Sequence, residues 1–149
     1  MNMFLLSIMI LTVTSSSIIP LLKGDDVTSM QVVRNMPGEY EQMYKNTDGS
    51  GKDRITKVVG WINSSKIVGG MAEFGKYSML IKIQMNDGRL ITVSQAYKWV
   101  HGTMPDGSGI SHATPIKGDI VIRTGLKTIR ASSPELYEWI QEDCKQELH

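Results

Sequence analysis

Ser78–Gln95 reads SMLIKIQMNDGRLITVSQ, and its two-residue period decides the fold class. Met79, Ile81, Ile83 and Met85 alternate with Leu80, Lys82 and Gln84, and beyond the turn Ile91 and Val93 alternate with Thr92 and Ser94. Such alternation marks half-buried antiparallel strands. Loop length then sets the register. A two-residue Asp87-Gly88 loop would set Ile83 against Thr92 and mix the faces. A three-residue Asn86-Asp87-Gly88 loop sets Ile83 against Ile91 and Ile81 against Val93, with Gly88 in the left-handed position.

Downstream, Lys117–Ala131 predicts a second hairpin turning at Thr124-Gly125. Ser132-Ser133-Pro134-Glu135 then opens a helix: Ser132 with Glu135 fits a capping box, and Ser133 with Pro134 fits an N-cap followed by the first helical residue. Leu136, Ile140, Cys144 and Leu148 recur every four residues as a core-facing stripe, which makes Cys144 a buried, inert thiol.

Upstream, the β-branched and aromatic residues of Thr56–Asn63 (TKVVGWIN) predict a strand, with Ile67–Met71 as its partner beyond a turn. Asn63-Ser64-Ser65 also fits a glycosylation acceptor in a eukaryotic secretory setting. Asn46–Asp53 (NTDGSGKD) predicts a flexible loop. It lacks the first glycine and the final Ser/Thr of a phosphate loop. Glu39–Lys45 predicts two helical turns with Tyr40, Met43 and Tyr44 on one face. Met30–Met36 is a short apolar element stopped by Pro37-Gly38, and Asp25-Asp26 a capped turn. The fold class expected is α+β: a mostly antiparallel, twisted sheet over residues 55–131, packed by a C-terminal amphipathic helix.

The chain has 149 residues, 41% of them hydrophobic, enough for one domain with a core. Its single Cys excludes an internal disulfide framework and a Cys-cluster zinc site. Net charge is +1, no global case for nucleic acid or acidic lipid. Charge is nonetheless uneven. Residues 1–22 carry none, residues 134–149 carry five acids against Lys145, and 45–100 carry nine basic residues against four acids.

Met1–Leu22 (MNMFLLSIMILTVTSSSIIPLL) is a separate apolar segment, 1–23, ahead of a domain spanning 24–149. Phe4–Val13 has the length of a signal-peptide core, and the run to Leu22 approaches the roughly 20 residues of a membrane span. Anchor, signal, premature start, buried strand pair and assembly arm all remain open for it.

His101–Thr114 (HGTMPDGSGISHAT) predicts a long polar loop. As an enzyme it would use Ser108 activated by a His and oriented by Asp106; as a metal site, His101, His112 and Asp106. Neither spacing matches a short motif. No dinucleotide fingerprint and no carboxylate pair appear, so no catalysis, cofactor or metal is expected. Binding fits better. Basic residues interleave with aromatics, and the candidate ligand-binding residues are Arg54, Lys57, Trp61, Lys82, Arg89, Tyr97, Lys98, Trp99, His101 and His112. Such a surface can hold a small anionic ligand or nucleotide, and basic strands with aromatics can also stack nucleic-acid bases.

Lys117-Gly118-Asp119-Ile120-Val121-Ile122, then Lys127-Thr128-Ile129-Arg130, then Ser133-Pro134-Glu135-Leu136-Tyr137 resembles a pattern of small phage-encoded proteins of uncertain function: a Pro-Gly-Asp strand start, a short hairpin and a terminal helix. Lys117 stands in place of the proline, and Ile120 where an aromatic often sits. The resemblance covers about 25 residues well and about 85 loosely, from Ile55 onward. It implies a phage or prophage origin, in host cytoplasm or virion, and brings no catalytic residues. The leading expectation is a non-catalytic accessory protein that binds a host protein or a small anionic ligand. A homo-oligomeric subunit of a virion-like assembly using the apolar N-terminus, and a membrane-anchored accessory protein, are the alternatives.

Overall fold

The computed structural model describes residues 19, 21–34, 41–76 and 78–146, with side chains in the last helix described as far as Glu142. Seven strands form one sheet: β1 (Val27–Arg34), β2 (Glu41–Lys45), β3 (Lys66–Val68), β4 (Met79–Met85), β5 (Leu90–Thr103), β6 (Gly109–Thr124) and β7 (Lys127–Ser132). Helix α1 (Gly49–Ser64) lies between β2 and β3 in sequence, and α2 (Pro134–Gln146) follows β7. The strand order is β2-β1-β4-β5-β6-β7-β3, antiparallel throughout. The fold is α+β.

The β4–β5 hairpin has the register its pattern dictates. Ile81 faces Val93, Ile83 faces Ile91, and Met85 bonds Arg89 across a three-residue loop. Gly88 sits there at φ +88°, which a side chain would strain. That register carries outward in both directions. Val32, Ile81, Val93, Ile122 and Ile129 form one row across five strands. The first four are buried, and Ile129 packs against the same core. Each fully buried aliphatic side chain contributes about 1.5–3 kcal/mol, so this row fixes which face of the sheet is internal. Both helices cover that face. Helix α1 contributes Ile55, Val58, Val59 and Ile62, and α2 contributes Leu136 and Ile140.

Thr56–Asn63 is therefore helix, not strand. Its residue types favour strands, but Ile55, Val58, Val59 and Ile62 follow helical spacing, and spacing prevails because it gives a single face to bury. The helix begins at Gly49, inside the stretch expected to be a flexible loop. A Cβ on Gly51 would lie 2.5 Å from the Lys45 carbonyl oxygen, so the first turn of α1 packs directly on the end of β2.

Glu41–Lys45 is strand rather than helix. Met30 of β1 pairs with Tyr44, and the free edge of β1 binds this backbone more completely than two isolated helical turns could. Pro37-Gly38 and Tyr40 lie outside the described residues. The expected partner strand at Ile67–Met71 shortens to β3 and pairs with β7, Ile67 against Ala131, because its expected neighbour is a helix. The sheet starts at Val27, not at residue 55.

The second hairpin turns one residue later than expected. Thr124 pairs with Lys127, leaving Gly125-Leu126 as the turn. Helix α2 starts at Pro134, and Tyr137 N–H donates to the Ser133 carbonyl at 2.9 Å. The Ser133 hydroxyl instead points to the Trp61 carbonyl of α1 at 3.5 Å, linking the helices. Asp25-Asp26 closes a short 3-10 turn. The side chain of Cys144, as well as Leu148, falls outside the described residues, as does the apolar segment before Ile19. Asn63 anchors the chain at Leu22. Its amide accepts from Leu22 N–H at 2.9 Å and donates to Leu22 C=O at 2.8 Å, like a neighbouring strand. No helix among the described residues is long and apolar enough to cross a membrane.

Candidate functional site

His101–Thr114 is not one long loop. Residues 101–103 belong to β5 and 109–114 to β6, which continue past the sheet as a two-stranded arm with Thr103 opposite Gly109, and only 104–108 form the connecting turn. The register slips at the arm's root. Gln95 pairs with Ile120 and Tyr97 with Pro115, so two steps along β5 match five along β6. Such a bulge bends the hairpin and disrupts the ladder locally. Tyr97 and Trp99 line one cavity with Arg130, which pairs with Val121 on the face away from the helices.

There they meet residues 69–76, which follow β3 and cross that second face. Tyr97 N–H donates to the Glu73 carbonyl at 3.1 Å, and the Trp99 indole N–H donates to the Phe74 carbonyl at 3.2 Å. The Arg123 guanidinium lies 4.5 Å above the Phe74 ring, a cation–π contact. Gly75 abuts the Tyr97 ring. This cover accounts for Ser94 and Val121 being fully buried although both alternate away from the helices.

Between cover and arm lies a cavity of about 240 Å³ lined by Met71, Glu73, Tyr97, Trp99, Ile116 and Arg130, with Lys98 at its rim. Glu73 Oε2 is buried and accepts no hydrogen bond from the described residues. The Arg130 guanidinium is already committed to Asp119 at 2.7 Å, a partly buried pair. Burial pushes the Tyr97 phenol above its ordinary 10.0, and the nearby Tyr137 adds to the shift. The cavity thus offers aromatic and aliphatic walls, with Glu73, Lys98 and Arg130 as its charged lining residues.

Beyond the cavity the arm is exposed on both faces. Trp99 and His101 stack at 6.4 Å with rings 10° apart, and His101 Nδ1 lies 2.7 Å from the Ser111 hydroxyl. Val100 faces His112, and Gly102 faces Ile110. Val100, Met104 and Ile110 are exposed hydrophobics. At the tip, the Ser108 hydroxyl and N–H both donate to Asp106 Oδ1, at 2.6 and 2.9 Å, and hold that carboxyl below its ordinary 3.8. Asp106 and Ser108 lock a turn, while His101 bonds Ser111. His101 and His112 occupy opposite faces of the ribbon, so the catalytic and metal groupings considered for this stretch do not assemble. Among the described residues no three His, Cys, Asp or Glu side chains gather for a metal.

Tyr97, Lys98 and Trp99 come together at the cavity; the other candidate residues scatter. Arg54 and Lys57 lie on α1. Lys57 Nζ sits 5.0 Å above Trp61, which tilts against Trp139 at 6.2 Å. Lys82 alternates onto the face away from the helices, and Arg89 is tied to Asp87 at 2.6 Å in the β4–β5 turn. Residue types did not reveal Met71, Glu73, Ile116 or Arg130. The one sequence signal was the density of Gly69, Gly70 and Gly75, which marks chain passing close to other groups.

Two other cavities are less suited to a ligand. One of about 190 Å³, beside Ile19, Ile62 and Ile67, has its polar group, Asn63, engaged by Leu22. One of about 260 Å³ lies between the helices, with Trp61, Trp139 and three glutamates around Lys57. Comparison of the chain with protein family models, curated proteins and solved structures finds no match.

Proposed function

We propose that this protein is a non-catalytic binding protein that takes up an extended segment of a partner protein along its β5–β6 arm. One observation carries the reading: among the described residues, 98–103 of β5 and 109–114 of β6 pair as strands only with each other, leaving both outer backbone edges without a strand partner. A two-stranded ribbon with both faces wet is marginal by itself. An added strand satisfies its edge groups and gains specificity from alternate side-chain pockets. The cavity at the root of the arm supplies such a pocket.

The resemblance of the C-terminal third to phage-encoded proteins supports a host protein as that partner. A small anionic ligand is the weaker reading, because Arg54 and Lys57 on α1, Lys82 on β4 and Arg89 in the β4–β5 turn lie on three separate parts of the fold, and Arg89 is already tied to Asp87.

Random extended peptides displayed against the full chain test the proposal. A variant in which Gly102–Ile110 is replaced by a two-residue Asn-Gly turn serves as control. Peptides that enrich on the full arm and lose binding on the shortened one support strand addition. Enriched peptides that bind both forms equally, or no enrichment at all, refute it.

A further inference from the structure

The cavity at the root of the arm carries one more inference, which depends on neither outer edge of the arm. We infer that it takes up a small organic acid, a carboxylate on an aromatic or aliphatic body, with the carboxylate held on the free end of the Arg130 guanidinium. This site is separate from Arg54, Lys57, Lys82 and Arg89.

Arg130 supplies the donors. Asp119 accepts from its Nε at 2.7 Å, the one hydrogen bond this guanidinium makes among the described residues. Its terminal Nη1 and Nη2 are left without acceptors. Unlike Glu73 Oε2, neither is closed off from solvent. Arg130 lines the cavity, and a Cβ on Gly70 would lie 3.0 Å from Nη1, so this end of the side chain reaches the covering segment. The side chain is 22% exposed. A guanidinium is therefore held by its inner nitrogen, partly out of water, where a hydrogen bond to its outer nitrogens is worth more than in bulk solvent.

The surroundings select the ligand. The two Nη groups match the two oxygens of a carboxylate in a bidentate, charge-assisted contact. Around the cavity, Arg130 and Lys98 balance Glu73 and Asp119, so a single negative charge enters without net repulsion. Met71, Ile116 and the Tyr97 and Trp99 rings make up the rest of the wall, which suits an apolar or aromatic body. At about 240 Å³ the cavity is smaller than a site for a drug-sized ligand and suits an acid of the size of phenylacetate.

The test titrates phenylacetate, its neutral counterpart phenylacetamide, and acetate into the full chain while the Trp99 indole N–H signal is followed by NMR. Phenylacetate should give a saturable shift. Phenylacetamide, which keeps the body and lacks the charge, and acetate, which keeps the charge and lacks the body, should each bind about tenfold more weakly. Arg130→Lys keeps a positive charge for Asp119 and removes the fork; it should weaken phenylacetate about tenfold and abolish the preference over the amide. No saturable shift, equal binding of phenylacetamide or acetate in the parent, or an undiminished preference in Arg130→Lys overturns the assignment. The comparison of ligands needs only the parent chain, so it decides even if the variant folds poorly. The shortened-arm variant retains every lining residue of the cavity and should bind phenylacetate as the parent does; loss of binding there overturns the cavity as the site. Failure of the displayed peptides to enrich refutes strand addition and leaves the acid site standing.

Discussion

Gly75→Ala probes the contact that holds the cover against the root of the arm. A Cβ at Gly75 would lie 2.7, 2.7 and 2.9 Å from three atoms of the Tyr97 ring, whereas ordinary contact begins at 3.4 Å. The ring must therefore retreat by about 0.7 Å, the difference between 3.4 and 2.7 Å. The backbone of Tyr97 is bonded to Glu73 on one side and paired with Pro115 on the other, so the ring must yield through its side-chain torsions alone. Overpacking of this kind costs about 1–3 kcal/mol. Gly75 is not among the positive-φ glycines, so alanine fits its backbone and regains about 0.4–1 kcal/mol by restricting the unfolded chain. The net expectation is a loss of about 1–2 kcal/mol. At about 2–4 °C per kcal/mol for a domain of this size, that is a fall of several degrees in Tm. Urea unfolding at constant m-value reads the loss directly. The same substitution made in Tyr97→Ala removes the collision and should be neutral or mildly stabilising, a coupling of about 1–3 kcal/mol. A Gly75→Ala cost that persists undiminished without the ring would refute this packing of cover on arm.

The same geometry sets three further outcomes. Gly51→Ala should cost about 3 kcal/mol, the upper end of overpacking, because the obstructing atoms are Lys45 backbone at 2.5 and 3.0 Å; Gly60→Ala, with nothing within 4 Å in the same helix, should stabilise by about 0.5–1 kcal/mol, and urea midpoints that fail to move apart argue against the α1–β2 contact. Asn63→Ala removes both hydrogen bonds to Leu22, at a cost of about 1–3 kcal/mol; amide exchange at Leu22 should accelerate, and unchanged protection would mean that other contacts hold this stretch. Burial raises the phenols of Tyr97 and Tyr137 above 10.0, so the folded state holds these protons more tightly than the unfolded chain. Their contribution is fully present below pH 10 and is lost as pH rises through the folded values. Tyr97→Phe should flatten the fall in stability above about pH 10, and parallel curves for parent and variant would contradict this.

Local pattern was enough for the β4–β5 hairpin, because alternation and an Asn-Asp-Gly turn permit only one register with a single apolar face. It was enough too for α2, where Ser133-Pro134 starts a helix and Leu136 and Ile140 share its buried side. Residue preference misled at Val58-Val59, where spacing already carried the helix, and helical spacing misled at Glu39–Lys45, where residues 41–45 pair as a strand with the edge of β1. The arm from His101 to Thr114 showed no strand signal for a physical reason: a ribbon wet on both faces has no apolar side to reveal by alternation. The cavity lay beyond any local reading. Glu73, Tyr97, Ile116 and Arg130 are far apart in sequence and meet because the chain that follows β3 crosses over β5, β6 and β7 on its way to β4. Which side chains share a strand or helix face is short-range stereochemistry; which faces then enclose a cavity is settled by chain crossings that no local period encodes.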